Sequence, residues 1–206
     1  MPDLPLYIVI ATIWVYWGRV GAMVLRARRH SHDLKGLVPE QRRERLMWLV
    51  WVPLVVAWMV VPYLATTHTA PPFGLPPFAR SEPAYAALRW LAAAGAVIAL
   101  AITIRCWSRM GKSWRMDVSE KQSGELITDG LYARIRHPIY AFSMLLMWCT
   151  VIVVPTVPML VVAVIHLALN VMKAANEERF LLATHGPTYA EYLKRTGRFL
   201  PRLRAR

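Results

Sequence analysis

The sequence predicts an all-α integral membrane protein with about five transmembrane helices. Its 206 residues are 56% hydrophobic and include nine Trp and ten Met, a larger apolar share than an ordinary soluble domain has. The formal net charge is +13, because 25 Lys and Arg outnumber 12 Asp and Glu. Apolar runs separated by basic loops are typical of membrane proteins, whereas a nucleic-acid-binding protein would need its basic residues on a compact soluble domain. We therefore expect membrane lipid, and no nucleic acid, as a partner.

The chain is interpreted as one membrane domain, residues 1–206, whose N-terminal part, residues 1–107, holds three spans. Leu4 to Leu25 is long enough to cross a bilayer and lacks the basic start and small-residue cleavage site of a signal peptide. The second span runs from Leu46 to Ala65, and the third from about Tyr85 to Trp107. Between them, the Pro-rich connector Thr66 to Pro83 is expected to be an ordered or polyproline-like surface loop.

The C-terminal part, residues 108–206, is predicted to be the catalytic region with a cofactor site. Its apolar block, Pro138 to Met172, has about twice the length of one span and is interrupted at Val154 to Pro158. This pattern predicts two helices in a tight hairpin, preceded by a polar connector and followed by a C-terminal helix. Because both open ends of a hairpin lie on one side of the membrane, the segments around His137 and Lys173 must be neighbours.

The distribution of basic residues predicts the orientation of the spans. Seven Lys and Arg lie in Arg26 to Arg45, but only Arg80 lies in Thr66 to Pro83. Since cytoplasmic loops carry the excess of basic residues, the N-terminus is expected outside and the C-terminal segment in the cytoplasm. This predicts a multi-pass protein of a bacterial inner membrane, with the open ends of the hairpin on the cytoplasmic side.

Residues of opposite charge are predicted to meet at these open ends. Arg136 and His137 directly precede Pro138, which fixes φ and favours a helix start. Glu177 and Glu178 follow the last span, so a ligand that is both cationic and anionic would find both partners there. Two alternatives remain: an interfacial anchor, since Arg, Tyr and Trp collect at headgroup depth, and a salt-bridged surface helix.

One face of the last span carries polar side chains at helical spacing. His166, Asn170, Lys173 and Glu177 follow one another at intervals of four, three and four residues. We expect His166 to form a hydrogen bond between helices. The part from Asn170 to Glu177 is expected to be a functional face, because it leads directly to the acidic pair.

Four segments carry a resemblance to a known family. They are Leu126 to Tyr140 with its Arg-His-Pro-Ile-Tyr motif, Glu177-Glu178, Gly186 to Tyr192, and Arg198 to Pro201. Together they resemble the isoprenylcysteine carboxyl methyltransferases, whose C-terminal signature is similar to that of the phospholipid N-methyltransferases. The resemblance implies a membrane methyltransferase that uses S-adenosylmethionine without a Rossmann domain, and no Gly-x-Gly-x-x-Gly motif is present.

The resemblance also implies which residues form the site. The cofactor contacts would be Gly124, Glu125, Leu126, Ile127, Tyr132, His137, Pro138, Ile139, Tyr140, Glu177 and Glu178. Arg136 and His137 would face the cofactor carboxylate, and Glu177 would face its ammonium group. Catalytic roles are implied for Arg136, Lys173 and Glu177. Lys173 stands where the family has an Arg, so it keeps the charge but lacks the bidentate fork that suits a carboxylate.

Lys173 lies on the membrane side of Glu177, and we therefore expect a lipophilic or lipid-anchored acceptor whose polar head it holds. Two other functions remain open. One is a membrane reductase of the sterol-reductase type, which would use NADPH and whose C-terminal half looks similar. The other is a non-catalytic membrane protein whose basic loops bind anionic lipid.

Overall fold

The computed structural model describes residues 2–30, 42–111 and 126–202, and within these ranges the chain is almost entirely helical. The helices are α1 (Leu4–His30), α2 (Arg42–Thr67), α3 (Phe78–Ser81), α4 (Pro83–Met110), a 3-10 helix (Gly130–Ala133), α5 (Pro138–Val153) and α6 (Val157–Arg195). The described residues contain no β-strand, only an isolated parallel bridge between Ile135 and Gly197. This architecture confirms the predicted all-α class.

Four of the helices, α1, α2, α4 and α6, are long and apolar enough to cross a membrane. The remaining predicted span, the fourth in chain order, corresponds to α5, which is apolar but has only 16 residues. The predicted hairpin is confirmed, because only residues 154–156 separate α5 from α6. The protein therefore has the helices of a multi-pass membrane protein. The shortest of the five predicted spans, α5, begins at the predicted site.

Two details differ from the sequence interpretation. The Pro-rich connector is not wholly extended, since it contains the one-turn helix α3. Pro77 precedes α3 with φ −52° and ψ −43°, so its ring already fixes a helical φ. The second detail is the junction between the last span and the predicted C-terminal helix: that helix is present, but it follows the span without a loop, so that the 39 residues of α6 consist of two helices that meet in a kink. Its only internal departure from helical geometry is at Gly186 (φ 49°, ψ −125°), a left-handed φ that favours glycine.

Small side chains hold α5 against α4. Four alanines of α4 are buried: Ala92, Ala93, Ala96 and Ala99. At Gly95 an added Cβ would lie 3.1 Å from the Cys149 sulfur, which shows how closely the helices approach. In a membrane, where apolar side chains gain little by leaving lipid, such close backbone approach stabilises helix pairs. Helix α5 is thereby held closely against α4.

Buried polar groups link α5 to its neighbours. The Trp58 indole donates to Thr150 Oγ1 at 3.3 Å, and Ser143 Oγ and His166 Nε2 share a hydrogen bond of 3.2 Å. Asn170 Nδ2 donates to the His166 carbonyl at 2.8 Å and lies 3.0 Å from His166 Nε2. The predicted interhelical role of His166 is confirmed. The functional role expected for Asn170 stays a prediction, and its buried amide packs against His166, one turn earlier in α6.

Candidate functional site

The segment before α5 turns sharply to present its polar residues. Gly130 has φ 58° and begins the 3-10 helix, which buries Tyr132. His137 caps α5 with φ −120° and ψ 63°, and Pro138 occupies the first turn, where its missing N–H leaves no helical bond unmade. As a result, His137 is buried at the mouth of the hairpin with its imidazole towards α6.

The acidic pair of α6 contacts His137 from the other side of the hairpin. His137 Nδ1 lies 3.4 Å from Glu177 Oε2, and His137 Nε2 lies 3.4 Å from Glu178 Oε1. Glu177 is twenty residues after Val157, which corresponds to about 30 Å of helix and to the thickness of a hydrocarbon core. The two open ends of the hairpin are therefore in contact, as predicted, at the depth expected of a membrane interface.

The two glutamates have different partners. Glu178 accepts from Arg136 Nε at 2.8 Å and from Arg198 Nε at 3.1 Å, and its side chain is only 10% exposed. Glu177 is 23% exposed and accepts a short hydrogen bond from the Tyr140 hydroxyl. Lys173, one turn earlier, stabilises the Glu177 charge electrostatically. Glu178 is thus occupied by two guanidinium groups, whereas Glu177 faces the more open side of the site.

The chain after α6 folds back across the hairpin mouth as a C-terminal strap, residues 196–202. The Arg136 amide donates to Gly197 O at 2.8 Å, and the His137 amide donates to Arg198 O at 3.1 Å. Gly197 is required here, because an added Cβ would lie 1.8 Å from the Leu200 carbonyl oxygen. The strap therefore pairs with the segment that carries His137, and its backbone satisfies that segment's amides.

Charge at the site favours the protonated form of His137. Burial by itself lowers the pKa of His137, but the interaction with the two nearby carboxylates of Glu177 and Glu178 outweighs it, so the pKa is raised above 6.5. The imidazole ring stacks on Tyr140 with centroids 5.6 Å apart and planes inclined by 11°. An imidazolium held between two carboxylates is a fixed, partly shielded positive charge.

Several buried polar atoms of this region lack a hydrogen-bond partner in the described part of the chain. They are Tyr132 Oη, His137 Nε2 and Tyr189 Oη. The His137 nitrogen is near Glu178 but does not point at it well enough for a hydrogen bond. Elsewhere in the described residues, only Trp17 Nε1 shares this condition. Because buried polar groups are nearly always paired, three such atoms in one neighbourhood indicate a site that a polar ligand or water completes.

The predicted site residues differ in how closely the structure brings them together. His137, Tyr140, Glu177 and Glu178 are in direct contact, and Tyr132 and Pro138 are buried beside them. Leu126, Ile127 and Ile139 are half-buried. Gly124 and Glu125 lie outside the described residues.

The contacts of Arg136 differ from those predicted for a residue that faces the cofactor. Its Nε binds Glu178, and its Nη1 donates to the carbonyls of Thr196 and Leu193, the latter at 3.3 Å. This guanidinium holds α6 and the strap together. Its predicted catalytic role stays a prediction, and its contacts favour a positioning role.

Two residues of the site were not assigned a role from the sequence. Arg198 completes the pairing of Glu178, and Tyr189 places its unpartnered hydroxyl beside the acidic pair. Both lie in segments that carry the resemblance, yet nothing in their local pattern indicates that they reach Glu178.

Comparison with known proteins identifies the class. The sequence model for phospholipid methyltransferase matches residues 88–188, which include α5, most of α4 and the part of α6 that carries the acidic pair. Residues 88–188 thus match a family of integral membrane methyltransferases that is related to the isoprenylcysteine carboxyl methyltransferases.

Two individual proteins are also similar. The cobalt-zinc-cadmium resistance protein CzcN of Cupriavidus metallidurans is 36% identical over 98 residues, 46% of this chain and 44% of that protein. The nickel-cobalt-cadmium resistance protein NccN of Alcaligenes xylosoxydans xylosoxydans is 27% identical over 116 residues, 55% of this chain and 53% of that protein. The chain thus spans about half the length of the relatives it matches.

Proposed function

We propose that the protein is an S-adenosylmethionine-dependent membrane methyltransferase that acts on an amphiphilic acceptor at the cytoplasmic face. The observation that carries this proposal is the cluster of Glu177, His137 and the unpartnered hydroxyls of Tyr132 and Tyr189 at the hairpin mouth. This cluster lies within or directly beside the segment that matches the methyltransferase family. No comparable set of unpartnered polar atoms occurs elsewhere in the described residues.

The residues present fit the charges of the cofactor. S-adenosylmethionine carries a carboxylate, an ammonium and a sulfonium, so it needs basic, acidic and aromatic contacts. The protonated His137 suits the carboxylate, and the partly exposed Glu177 suits the ammonium group. The Tyr140 ring provides an aromatic wall, and Leu126 and Ile127 add apolar surface. When bound, the cofactor supplies an electrophilic methyl group on sulfur.

The protein's own contribution is alignment and exclusion of water. Methyl transfer from a sulfonium is an in-line displacement that depends mainly on the geometry of the reacting atoms and on a dry site. Tyr140 holds the Glu177 carboxylate, while Arg136 and Arg198 hold Glu178. An ionised carboxylate acceptor needs no general base, whereas a neutral amine, thiol or hydroxyl would pass its proton to the Glu177 carboxylate.

The acceptor is proposed to approach from the membrane. Lys173 is four residues before Glu177, about 6 Å along the helix towards the bilayer. Its ammonium group suits an anionic or polar head, while the apolar surface of α6 suits a lipid tail. The family match to phospholipid methyltransferases supports a lipid acceptor in the same way.

The proposed orientation places the site in the cytoplasm. It rests on the seven basic residues of Arg26 to Arg45 against one in Thr66 to Pro83. Part of the first range, including Ser31, lies outside the described residues. Cysteines introduced at Ser31 and Thr69 should react oppositely with an impermeant thiol reagent on intact cells. Labelling of the Ser31→Cys variant from outside would contradict this orientation.

Ligand binding separates the proposal from its alternatives. Calorimetry on the purified protein should show S-adenosylhomocysteine binding with a micromolar Kd, on the order of −8 kcal/mol. A reductase would instead bind NADPH, and a non-catalytic lipid-binding protein would bind neither. Transfer of a labelled methyl group into membrane extracts, with none into soluble acids, amines or thiols, is the expected result for the acceptor. Efficient labelling of a soluble acceptor would overturn the proposed route while leaving the cofactor site in place.

The names of the two relatives refer to metal resistance, and the proposed function of this chain includes no metal binding. Among the described residues, no group of three or more His, Cys, Asp and Glu side chains is placed to hold a metal ion. The contacts at the hairpin mouth are instead those of ion pairs and hydrogen bonds. The proposed methyl transfer uses these contacts directly.

A further inference from the structure

The C-terminal strap supplies a side chain as well as backbone to the site. Arg198 directly follows Gly197, the strap residue that is bridged to Ile135, and its guanidinium reaches the carboxylate of Glu178 on α6. Its Nε is 3.1 Å from each Glu178 oxygen, and its Nη2 makes a shorter bond to Oε2. This two-pronged geometry is the strong form of an Arg–carboxylate pair.

Glu178 in turn stands directly against His137. Its Oε1 atom is 3.4 Å from His137 Nε2 and also accepts from Arg136 Nε. A carboxylate with one cation on each side can move little, because any rotation breaks one of the two pairs. The position and net charge that His137 experiences therefore depend on whether Arg198 is in place.

The strap also covers the imidazole ring. The Phe199 ring centroid lies 6.2 Å from the His137 ring centroid, and Tyr140 stacks on the same imidazole. Phe199 thus packs near the imidazole, while Arg198 binds the Glu178 carboxylate beside it, so two adjacent strap residues surround one side chain, His137. That side chain is the one proposed to face the cofactor carboxylate.

We infer that Arg198 is a positioning residue of the proposed methyl-transfer site, acting on His137 through Glu178. The inference rests on the proposed function only in the role given to His137, since the contacts themselves are independent of it. Other contacts of the strap serve as a comparison. Arg202 lies on the same strap and donates to the Lys194 carbonyl at 2.6 Å, which fixes the strap to α6 without touching Glu178.

The test compares Arg198→Met with Arg202→Met in the full-length protein. The charged and titratable groups that face His137 are Glu177 and Glu178 from α6, Tyr140 from α5, Arg136 before it and Arg198 from the strap. Removing the Arg198 charge makes this neighbourhood more negative, so the pKa of His137 should rise. Histidine NMR titration measures this directly, with His137→Gln identifying the signal, and needs no cofactor.

We expect an upward pKa shift of His137 in Arg198→Met and none in Arg202→Met. We also expect S-adenosylhomocysteine affinity to fall roughly tenfold in the first and to stay unchanged in the second. In Arg198→Lys the pKa of His137 should stay close to that of the unaltered protein, because the positive charge is kept. The affinity for S-adenosylhomocysteine should be only partly kept, because Lys lacks the bidentate guanidinium. In a Glu178→Gln background, Arg198→Met should have little further effect, since the coupling passes through Glu178.

An unchanged His137 pKa in Arg198→Met, or the same change in Arg202→Met, would overturn the inference. If Arg198→Met does not fold, Arg198→Lys against Arg202→Lys decides by the affinity difference and the NMR titration. Absence of any S-adenosylhomocysteine binding by the unaltered protein would instead contradict the proposed function. The NMR comparison would still be interpretable in that case, so the two failures are distinguishable.

Discussion

Two arginine–carboxylate clusters lie at opposite ends of α5, and only one of them leaves polar atoms without partners. At the C-terminal end, Arg89 is 4% exposed and binds both carboxylate oxygens of Asp3, at 2.8 and 2.9 Å. It also donates to the carbonyls of Val153 at 3.1 Å and Ala79 at 3.2 Å. One guanidinium therefore ties together the start of α1, α3, α4 and the end of α5, and all of its nitrogens are used.

At the N-terminal end of α5, the pairing of Glu178 with Arg136 and Arg198 is just as direct. Its neighbour His137, however, has a ring nitrogen without a hydrogen bond, and two tyrosine hydroxyls nearby share that condition. A buried polar network that is complete stabilises one structure, whereas an incomplete one is prepared for a ligand. The comparison indicates that the Arg89 cluster serves the fold and that the Glu178 cluster serves the site.

The largest expected effect comes from breaking the cluster that serves the fold. Arg89→Met leaves the largely buried Asp3 carboxylate without its main partner, which should destabilise the protein by about 3 kcal/mol. Arg80→Met is the matched control: Arg80 also binds Asp3 but its side chain is 58% exposed, so its loss should have little effect. Thermal unfolding in detergent measures both. The folded fraction of Arg89→Met should bind S-adenosylhomocysteine normally, and a selective loss of binding would contradict the division between the two clusters.

A smaller loss, confined to ligand binding, is expected at the site. Glu177→Gln removes the charge proposed to bind the cofactor ammonium, and a hydrogen bond to a charged group contributes about 2 kcal/mol, or roughly a 30-fold change in Kd. Glu191→Gln is the control, because Glu191 pairs with Lys194 on the exposed part of α6. Calorimetry with S-adenosylhomocysteine is the measurement. Equal affinity in the Glu177→Gln variant would show that this residue was wrongly assigned.

Lys173 provides a test of acceptor binding that is separate from cofactor binding. Lys173→Met should lower methyl transfer into membrane lipid by roughly tenfold, because one charge-assisted hydrogen bond to the acceptor is lost. The affinity for S-adenosylhomocysteine should change little. Lys194→Met, on the exposed surface of α6, should leave both unchanged. Parallel turnover and calorimetry on the same preparations separate these effects. An equal loss of cofactor affinity would show that Lys173 binds the cofactor and not the acceptor.

The smallest expected effect is a pH dependence of cofactor binding. The pKa of His137 is raised in the folded protein, so the imidazolium contribution is complete below its ordinary pKa of 6.5 and is lost as pH rises through the folded value. Affinity for S-adenosylhomocysteine should therefore decline as pH increases through that range. Calorimetry across pH should show this decline, and His137→Gln should flatten the profile. A profile that is identical in the variant would assign the dependence to another group.

Much of the fold follows from patterns that are local in the chain. Apolar runs long enough to span a bilayer predicted the α-helical membrane class, and the interruption around Pro155 predicted the hairpin of α5 and α6. The hairpin alone implied that His137 and Glu177 would be close, which the structure confirms. The assignment of His166 to a hydrogen bond between helices was also accessible, because a polar group within a span must find a partner there.

What the sequence by itself determined was therefore the set of apolar helices, the hairpin of α5 and α6 and the meeting of the acidic pair with His137. Only the tertiary structure decided how those charges are divided. Glu177 and Glu178 are adjacent and chemically identical, yet successive residues of a helix point about 100° apart, so one meets two arginines and the other meets Tyr140. Arg89 and Asp3 are 86 residues apart, and Arg198 reaches Glu178 only because Gly197 permits the strap to turn back. Such pairings depend on packing between distant segments, which no local spacing records.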